Sequence, residues 1–228
     1  MAKLYFRYGA MNSGKTTNML QAAYNYEEQG HTVLLAKPAI DTKGDLGLLS
    51  RIGVTRKADF IIAEESDLYG LFQSYREEVI RKTGNDVKAF MIDEAQFLSE
   101  AQVDDLLRIA LLEDIPVLAY GIRTDFQTVA FAGSRRLLEI SHEIEELKTI
   151  CRCGKKAIFQ ARKYNGQFIF SGDQVAIDNH GLSYESLCGT CYLTESNGVL
   201  NAGRRQWPSP TRSNQIPTSA NSGRLRAA

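Results

Sequence analysis

Two short segments hold residues suited to chemistry on phosphate. Gly9-Ala10-Met11-Asn12-Ser13-Gly14-Lys15-Thr16 fits the pattern G-x-x-x-x-G-K-[ST]. In such a loop the glycines let backbone N–H groups turn inward around phosphate oxygens, and the following helix N-terminus adds positive potential. The lysine reaches the outer phosphates and the last hydroxyl can ligate Mg²⁺. Eight matched positions can arise by chance, so the reading depends on a strand before the loop and a helix after it. Val87 to Ile92, followed by Asp93 and Glu94, is an apolar strand ending in two acids. Asp93 can hold Mg²⁺ through its water shell, and Glu94 lies beyond the strand's carboxyl end, where it can take a proton from a nucleophile. Alone, the pair reads as two solvated acids before the turn at Ser99. Beside a phosphate loop the functional reading is the stronger, because phosphoryl transfer needs positioning and a base.

All four cysteines lie late in the chain, as Cys151-x-Cys153 and Cys188-x-x-Cys191. Four thiolates on two short knuckles can complete a tetrahedral structural Zn²⁺ site. Two disulfides or free core cysteines are the alternatives, disfavoured in a reducing compartment. His31, His142 and His180 share no ligand-like spacing and read as structural or surface residues. Phe126 and Phe131 follow a strand ending at Tyr120, where they can stack on a planar base or simply pack beneath the loop.

The elements that must position these groups are legible in the hydrophobic pattern. Residues 3 to 8 alternate, and Thr16 to Gln29 places Met19, Leu20, Ala23 and Tyr24 on adjoining helical rows before Gly30. His31 to Ala36 contains a run typical of a strand buried on both faces. Asp41 to Lys57, with Gly44, Gly47 and Gly53, reads as a long surface loop. After Phe60-Ile61-Ile62, the stripe Leu68, Leu71, Phe72, Tyr75 and Val79 predicts a helix. Ser99 with Gln102 forms a capping box before Val103, Leu106, Leu107 and Ala110, and Ile115 to Tyr120 is a further strand. Strands alternating with amphipathic helices predict an α/β fold: a mainly parallel sheet, as in P-loop nucleotide-binding proteins, with helices on both faces. From about residue 150 the pattern changes to short β-like runs, Ala157 to Ala161 and Gln167 to Phe170, between the cysteines. The expected organisation is a core over 1–150, a cysteine-knuckle domain over 151–200 and a basic tail over 201–228.

The 228 residues carry 27 basic and 27 acidic side chains, and 43% are apolar, which excludes disorder as the overall state. The tail holds Arg204, Arg205, Arg212, Arg224 and Arg226 and no acid, leaving 22 basic against 27 acidic residues in the rest, a net −5. A folded part of that charge argues against an extended nucleic-acid surface. The tail can touch RNA or lipid, but Pro208, Pro210 and Pro217 among Ser, Thr, Asn and Gln read first as disorder. No apolar run approaches the roughly 20 residues of a membrane span. The N-terminus lacks a secretory pattern, so a cytoplasmic address is expected.

The phosphate loop, Asp93-Glu94-Ala95-Gln96-Phe97, Tyr120-Gly121-Ile122-Arg123-Thr124-Asp125-Phe126 and the late cysteine knuckles together resemble the cellular-type, or type II, thymidine kinase family over roughly residues 2 to 193. The resemblance implies ATP- and Mg²⁺-dependent phosphorylation of the thymidine 5′-hydroxyl, with deoxyuridine as a further substrate. It also implies a zinc-bearing, zinc-ribbon-like lasso domain closing over the nucleoside, a homotetramer and feedback inhibition by dTTP. Membrane and nucleic-acid partners are not implied. By position, Gly9 to Thr16, Asp41, Lys43, Asp93 and Gln96 match the nucleotide and Mg²⁺ contacts, and Glu94 matches the catalytic base. Met11, Phe97, Ile122, Phe126, Phe131, Val175, Ile177 and Tyr184 match the nucleoside pocket, and Cys151, Cys153, Cys188 and Cys191 the zinc ligands. Three departures stand out. Lys43 replaces an arginine and loses its bidentate fork. Gln160 stands where many members carry Thr near the thymine methyl. The segment 177–181 differs from the family's glycine-rich lasso turn. Two other classes share part of this pattern: a P-loop ATPase in which Glu94 polarises water, and a zinc-ribbon binding module on a degenerate nucleotide fold. Little chain remains for the first's nucleic-acid platform, and intact Lys15-Thr16 and Asp93-Glu94 weigh against the second.

Overall fold

The computed structural model describes residues 1–39, 47–49, 53, 55–175, 181–200 and 205–208. Residues 3 to 8 form β1 (Leu4–Tyr8), and the phosphate-loop segment leads into α1 (Lys15–Glu28), which stops at Gly30. Next come β2 (Thr32–Pro38), β3 (Gly47–Leu49), β4 (Thr55–Lys57), β5 (Phe60–Ile62) and α2 (Leu68–Thr83). The Asp67 side chain caps α2 at the Gly70 N–H, and Gly84 closes it in the left-handed region. β6 (Val87–Ile92) leads through a short 3-10 turn, Ala95–Phe97, to α3 (Glu100–Leu112), whose Ser99/Gln102 capping box forms as its spacing predicts. β7 (Val117–Gly121), α4 (Ala132–Ile140) and β8 (Glu143–Glu146) complete the larger sheet.

Six strands in the order β5-β2-β6-β7-β1-β8 make this sheet, and every pairing is parallel. Alternation along the strands divides the core between two faces. Leu34, Phe90, Ile92, Val117 and Ala119 pack with Leu68 and Phe72 of α2, Val103 and Leu106 of α3 and Leu137 of α4. Val33, Leu35, Met91, Leu118 and Tyr120 pack on Met19, Leu20 and Ala23 of α1. The expected α/β architecture with helices on both faces is therefore the observed one.

The β3–β4 hairpin, the helix α4 and the strand β8 were not anticipated from the sequence. Part of the stretch expected as a loop is an antiparallel hairpin, β3 with β4, whose Leu48 is buried in the α1-side core. Three-residue strands beside glycines are too short to show a period. The strand β8, reading Glu-Ile-Glu-Glu, lies at the sheet edge with little buried, and its acids pair with basic residues in and just before β1, Glu145 with Arg7 at 2.9 Å and Glu143 with Lys3 at 2.5 Å.

Beyond β8 come β9 (Thr149–Ile150), β10 (Lys156–Ala157), β11 (Phe159–Tyr164), β12 (Gln167–Ile169), β13 (Leu182–Leu187) and α5 (Gly189–Glu195). A three-stranded antiparallel sheet, β12-β11-β13, shares a small apolar cluster with the cysteines, built on Ala157, Ala161, Leu187 and Tyr192. β14 (Val199–Leu200) pairs with β15 (Arg205–Gln206), so the tail expected to be disordered contributes a strand at 205–206; residues 201–204 and 209–228 lie outside the described residues. Among the described residues no helix is long and apolar enough to cross a membrane.

Candidate active site

The phosphate-loop segment begins where β1 ends. The Gly9 N–H donates to the Gly121 carbonyl at 3.2 Å, and Asn12 and Gly14 both take positive φ, 66° and 77°. Left-handed residues alternating with right-handed ones turn successive N–H groups into a concave nest for anions. Lys15 is only 8% exposed, and its Nζ donates to the carbonyls of Gly9 and Ala10, both at 3.2 Å, so the ammonium is held beneath the loop. The Ser13 Oγ is buried without a hydrogen-bond partner. It packs against Gly9, where a Cβ would stand 2.3 Å from it, which explains the glycine.

One strand, β7, separates β1 from β6, yet the Thr16 Oγ1 reaches across to donate to Asp93 Oδ2 at 2.8 Å. Asp93 is 4% exposed and its own Oδ1 accepts the Glu94 N–H at 3.0 Å. Burial, then the neighbouring Glu94 charge, pushes its pKa up to about 6, against the opposing hydroxyl of Thr16. Ionising Asp93 therefore costs more here than in water, and a cation bound beside it would offset that cost. A hydroxyl and a carboxylate oxygen side by side are the hard donors that Mg²⁺ takes, so these residues fit that ion.

Glu94 sits at φ 51°, a left-handed position costly for a residue with a Cβ, of the kind found at functional sites. Its Oε2 accepts from Gln96 Nε2 at 2.5 Å, while Gln96 Oε1 accepts the Ile122 N–H at 3.1 Å. A Cβ at Gly121 would stand 2.6 Å from that Gln96 oxygen, which explains the glycine. Gln96, expected among the nucleotide contacts, thus has both ends of its amide engaged within the protein, linking the carboxylate after β6 to the backbone after β7.

The aromatic residues gather at the same sheet edge. Phe97 and Phe131 meet edge to face with centroids 5.5 Å apart, Phe126 is fully buried, and the Ile122 carbonyl accepts from Ser134 Oγ at 2.5 Å. The small sheet faces this edge. In the β11–β13 register Gln160 lies opposite Ser186 and Arg162 opposite Tyr184, all four on one face. Gln160 donates to the Thr124 carbonyl, Ser186 to the Met11 carbonyl, and Tyr192 to the Phe126 carbonyl at 2.6 Å. Thr149 Oγ1 approaches the Asn12 carbonyl at 3.4 Å. These links were invisible in the sequence, because each joins polar side chains to backbone carbonyls distant along the chain. Val175 directly follows Gln174, whose Nε2 donates to Asp125 at 3.1 Å. Asp41, Lys43 and Ile177 lie outside the described residues.

On its other face the small sheet carries the cysteines. The four Sγ atoms all lie within 4.8 Å of one another, with Cys153 and Cys188 at 3.6 Å. Ligands about 2.3 Å from a tetrahedral zinc stand about 3.8 Å apart, so the cluster fits that ion. The backbone N–H of Lys155 draws the Cys153 thiol down to about 7, and the Cys191 N–H reaches Cys188 Sγ at 3.5 Å. Both contacts favour the thiolate, while burial pushes Cys188 and Cys191 up.

A wholly parallel sheet, a phosphate loop after β1, paired carboxylates after β6 and four clustered cysteines whose spacing fits a metal define a P-loop nucleotide-binding protein with a small satellite sheet. The thymidine kinase family model matches residues 2–192. A thymidine kinase of Streptococcus thermophilus is 41% identical over 223 residues, covering 97% of this chain and all of the relative. Those of Legionella pneumophila (strain Paris) and Mesorhizobium japonicum are each 45% identical, over 200 and 190 residues, covering 87% and 82% of this chain and 91% and 89% of theirs. The chain belongs to the thymidine kinase family.

Proposed function

We propose that this chain transfers the γ-phosphate of ATP to the 5′-hydroxyl of thymidine, and also of deoxyuridine, giving the nucleoside monophosphate and ADP. The observation that carries the reading is the Thr16–Asp93 hydrogen bond, which brings two hard oxygen donors together beside the phosphate nest and one residue from Glu94. Thr16, and Asp93 through the ion's water shell, would hold Mg²⁺, which when bound would supply neutralising charge to the transferring phosphoryl oxygens. The loop N–H groups and Lys15 bind and orient the triphosphate. Glu94, aimed by Gln96, accepts the 5′-hydroxyl proton as the alcohol oxygen bonds to the γ-phosphorus and the bond to the β-phosphate oxygen breaks. Met11, Phe97, Ile122, Phe126, Phe131, Val175, Ile177 and Tyr184 enclose the nucleoside, and Asp41 and Lys43 assist on the phosphate side.

Residues 1–150 act as the catalytic core and 151–200 as a lasso unit that Cys151, Cys153, Cys188 and Cys191 stabilise through one structural Zn²⁺. The enzyme works in the cytoplasm as a homotetramer inhibited by dTTP, without nucleic-acid or membrane partners. Incubation with γ-labelled ATP, Mg²⁺ and a panel of nucleosides tests the reading. Label is expected on thymidine; label on free phosphate alone would indicate an ATPase, and no transfer a binding module.

A further inference from the structure

Arg162 belongs to none of the motifs, yet the structure gives it the densest set of contacts in the small sheet. It is 3% exposed, in the middle of β11. Its Nε donates to the Tyr184 hydroxyl at 3.0 Å, and its two terminal nitrogens donate to consecutive backbone carbonyls, Asp173 at 2.8 Å and Gln174 at 2.9 Å. Its guanidinium carbon lies 3.7 Å from the centroid of the Phe126 ring, on the core side. Three elements distant in sequence meet on this one group: the loop after β7, the strand β13 and the chain running into Val175.

We infer that Arg162 is a positioning residue for the nucleoside: it holds Phe126, Tyr184 and the backbone preceding Val175 in one rigid arrangement, and so sets thymidine affinity without touching the reacting atoms. The inference rests on the proposed function, which places those three around the nucleoside. The physical basis is the shape of the side chain. A planar fork can bridge two successive carbonyls, spend a third N–H on a hydroxyl and still offer its face to an aromatic ring, whereas an ammonium is a point charge that cannot do all three. Neighbouring bonds restrain the same segment independently, since Gln127 Nε2 donates to the Gly172 carbonyl at 3.0 Å and Gln174 Nε2 to Asp125. Replacing Arg162 therefore loosens the segment's aim without releasing it from the core. The cysteine cluster lies across the sheet, packed with Ala161 and Leu187, and is untouched.

Arg162→Lys in the full-length, zinc-loaded enzyme tests this. Loss of at least two of the three hydrogen bonds and of the planar stack should raise the thymidine KM about tenfold or more. The ATP KM and kcat should stay within about threefold of wild type, zinc content should be unchanged, and limited proteolysis should cut the 171–175 segment faster. An unchanged thymidine KM overturns the inference. So does a joint rise of both KM values with loss of zinc, which marks a residue needed only for folding. Should the variant not be recovered folded, Tyr184→Phe, which removes only the hydroxyl that accepts from Arg162, should both raise the thymidine KM several-fold and speed cleavage at 171–175; a KM rise with wild-type cleavage marks a direct nucleoside contact and counts against Arg162, as does no change in either. If the wild-type chain does not phosphorylate thymidine, the proposed function fails. Arg162 is then decided by proteolysis alone, with equal cleavage of Arg162→Lys and wild type counting against it.

Discussion

Glu94→Gln isolates proton acceptance from every other property of the site. The amide has the size of the carboxylate, and its oxygen can still accept from Gln96 Nε2, so the clamp running from Gln96 to Ile122 survives. The left-handed backbone at position 94 costs a glutamine about what it costs a glutamate, so local strain is also preserved. What disappears is the base. General-base assistance is worth about 10² to 10⁴-fold, or roughly 3 to 5 kcal/mol of barrier, and kcat should fall by that factor while the thymidine and ATP KM values move less than about threefold. Glu94 is not among the groups proposed to hold Mg²⁺. Losing its charge weakens only the longer-range attraction for the ion, partly offset by easier ionisation of Asp93, whose pKa the Glu94 charge helps raise, so the Mg²⁺ concentration for half-maximal rate should move less than about tenfold. The assay is steady-state turnover at saturating thymidine across an Mg²⁺ titration. A kcat loss below tenfold would refute the assignment, and an Mg²⁺ requirement that rises in step with the loss of kcat would make Glu94 a metal residue.

Lys15→Ala should lower kcat/KM for ATP by about 10² to 10³-fold, the usual scale for removing a positioned donor to a developing oxyanion, with an unchanged far-ultraviolet dichroism spectrum; near-normal turnover would exclude Lys15 from phosphate binding. Cys188→Ala removes a proposed zinc ligand that is also buried in the small apolar cluster, so metal analysis should fall from about one zinc per chain and proteolysis should open residues 151–200 before the parallel sheet; two intact disulfides in metal-free wild type would contradict this. Arg76 binds Asp86 at 2.7 Å and Glu113 at 2.6 Å. Asp86 is held below its usual range chiefly by Arg76, and Glu113 chiefly by the Tyr69 hydroxyl with Arg76 assisting. Both folded-state values are depressed, so their stabilisation is present above the ordinary carboxylate range near pH 4 and is lost as pH falls through the lower folded values. Arg76→Leu should cost about 1 to 2 kcal/mol at pH 7, discounted because Asp86 is partly solvated, and the gap from wild type should narrow in acid; a pH-independent gap by chemical denaturation would show that packing, not charge, is lost.

The sequence by itself was enough for whatever depends on neighbours along the chain. Hydrophobic period marked β2, β6, α2 and α3 because each buries a regular face, and the capping box and Gly30 bounded helices through local hydrogen bonding and backbone freedom. The phosphate loop, the acids after β6 and the cysteine pairs were legible for the same reason: their chemistry is written in consecutive residues. The edge strand β8 escaped because a strand with little buried has no need of an apolar period, and the hairpin β3–β4 because it is too short to display one. Only the tertiary structure brought Thr16 to Asp93, aimed Glu94 through Gln96 and placed the Gln160–Ser186 face of the small sheet against the loops of the core. Arg162 shows why. On a short strand its charge predicts exposure, and its burial becomes intelligible only when folding delivers a ring, a hydroxyl and two carbonyls from three remote segments.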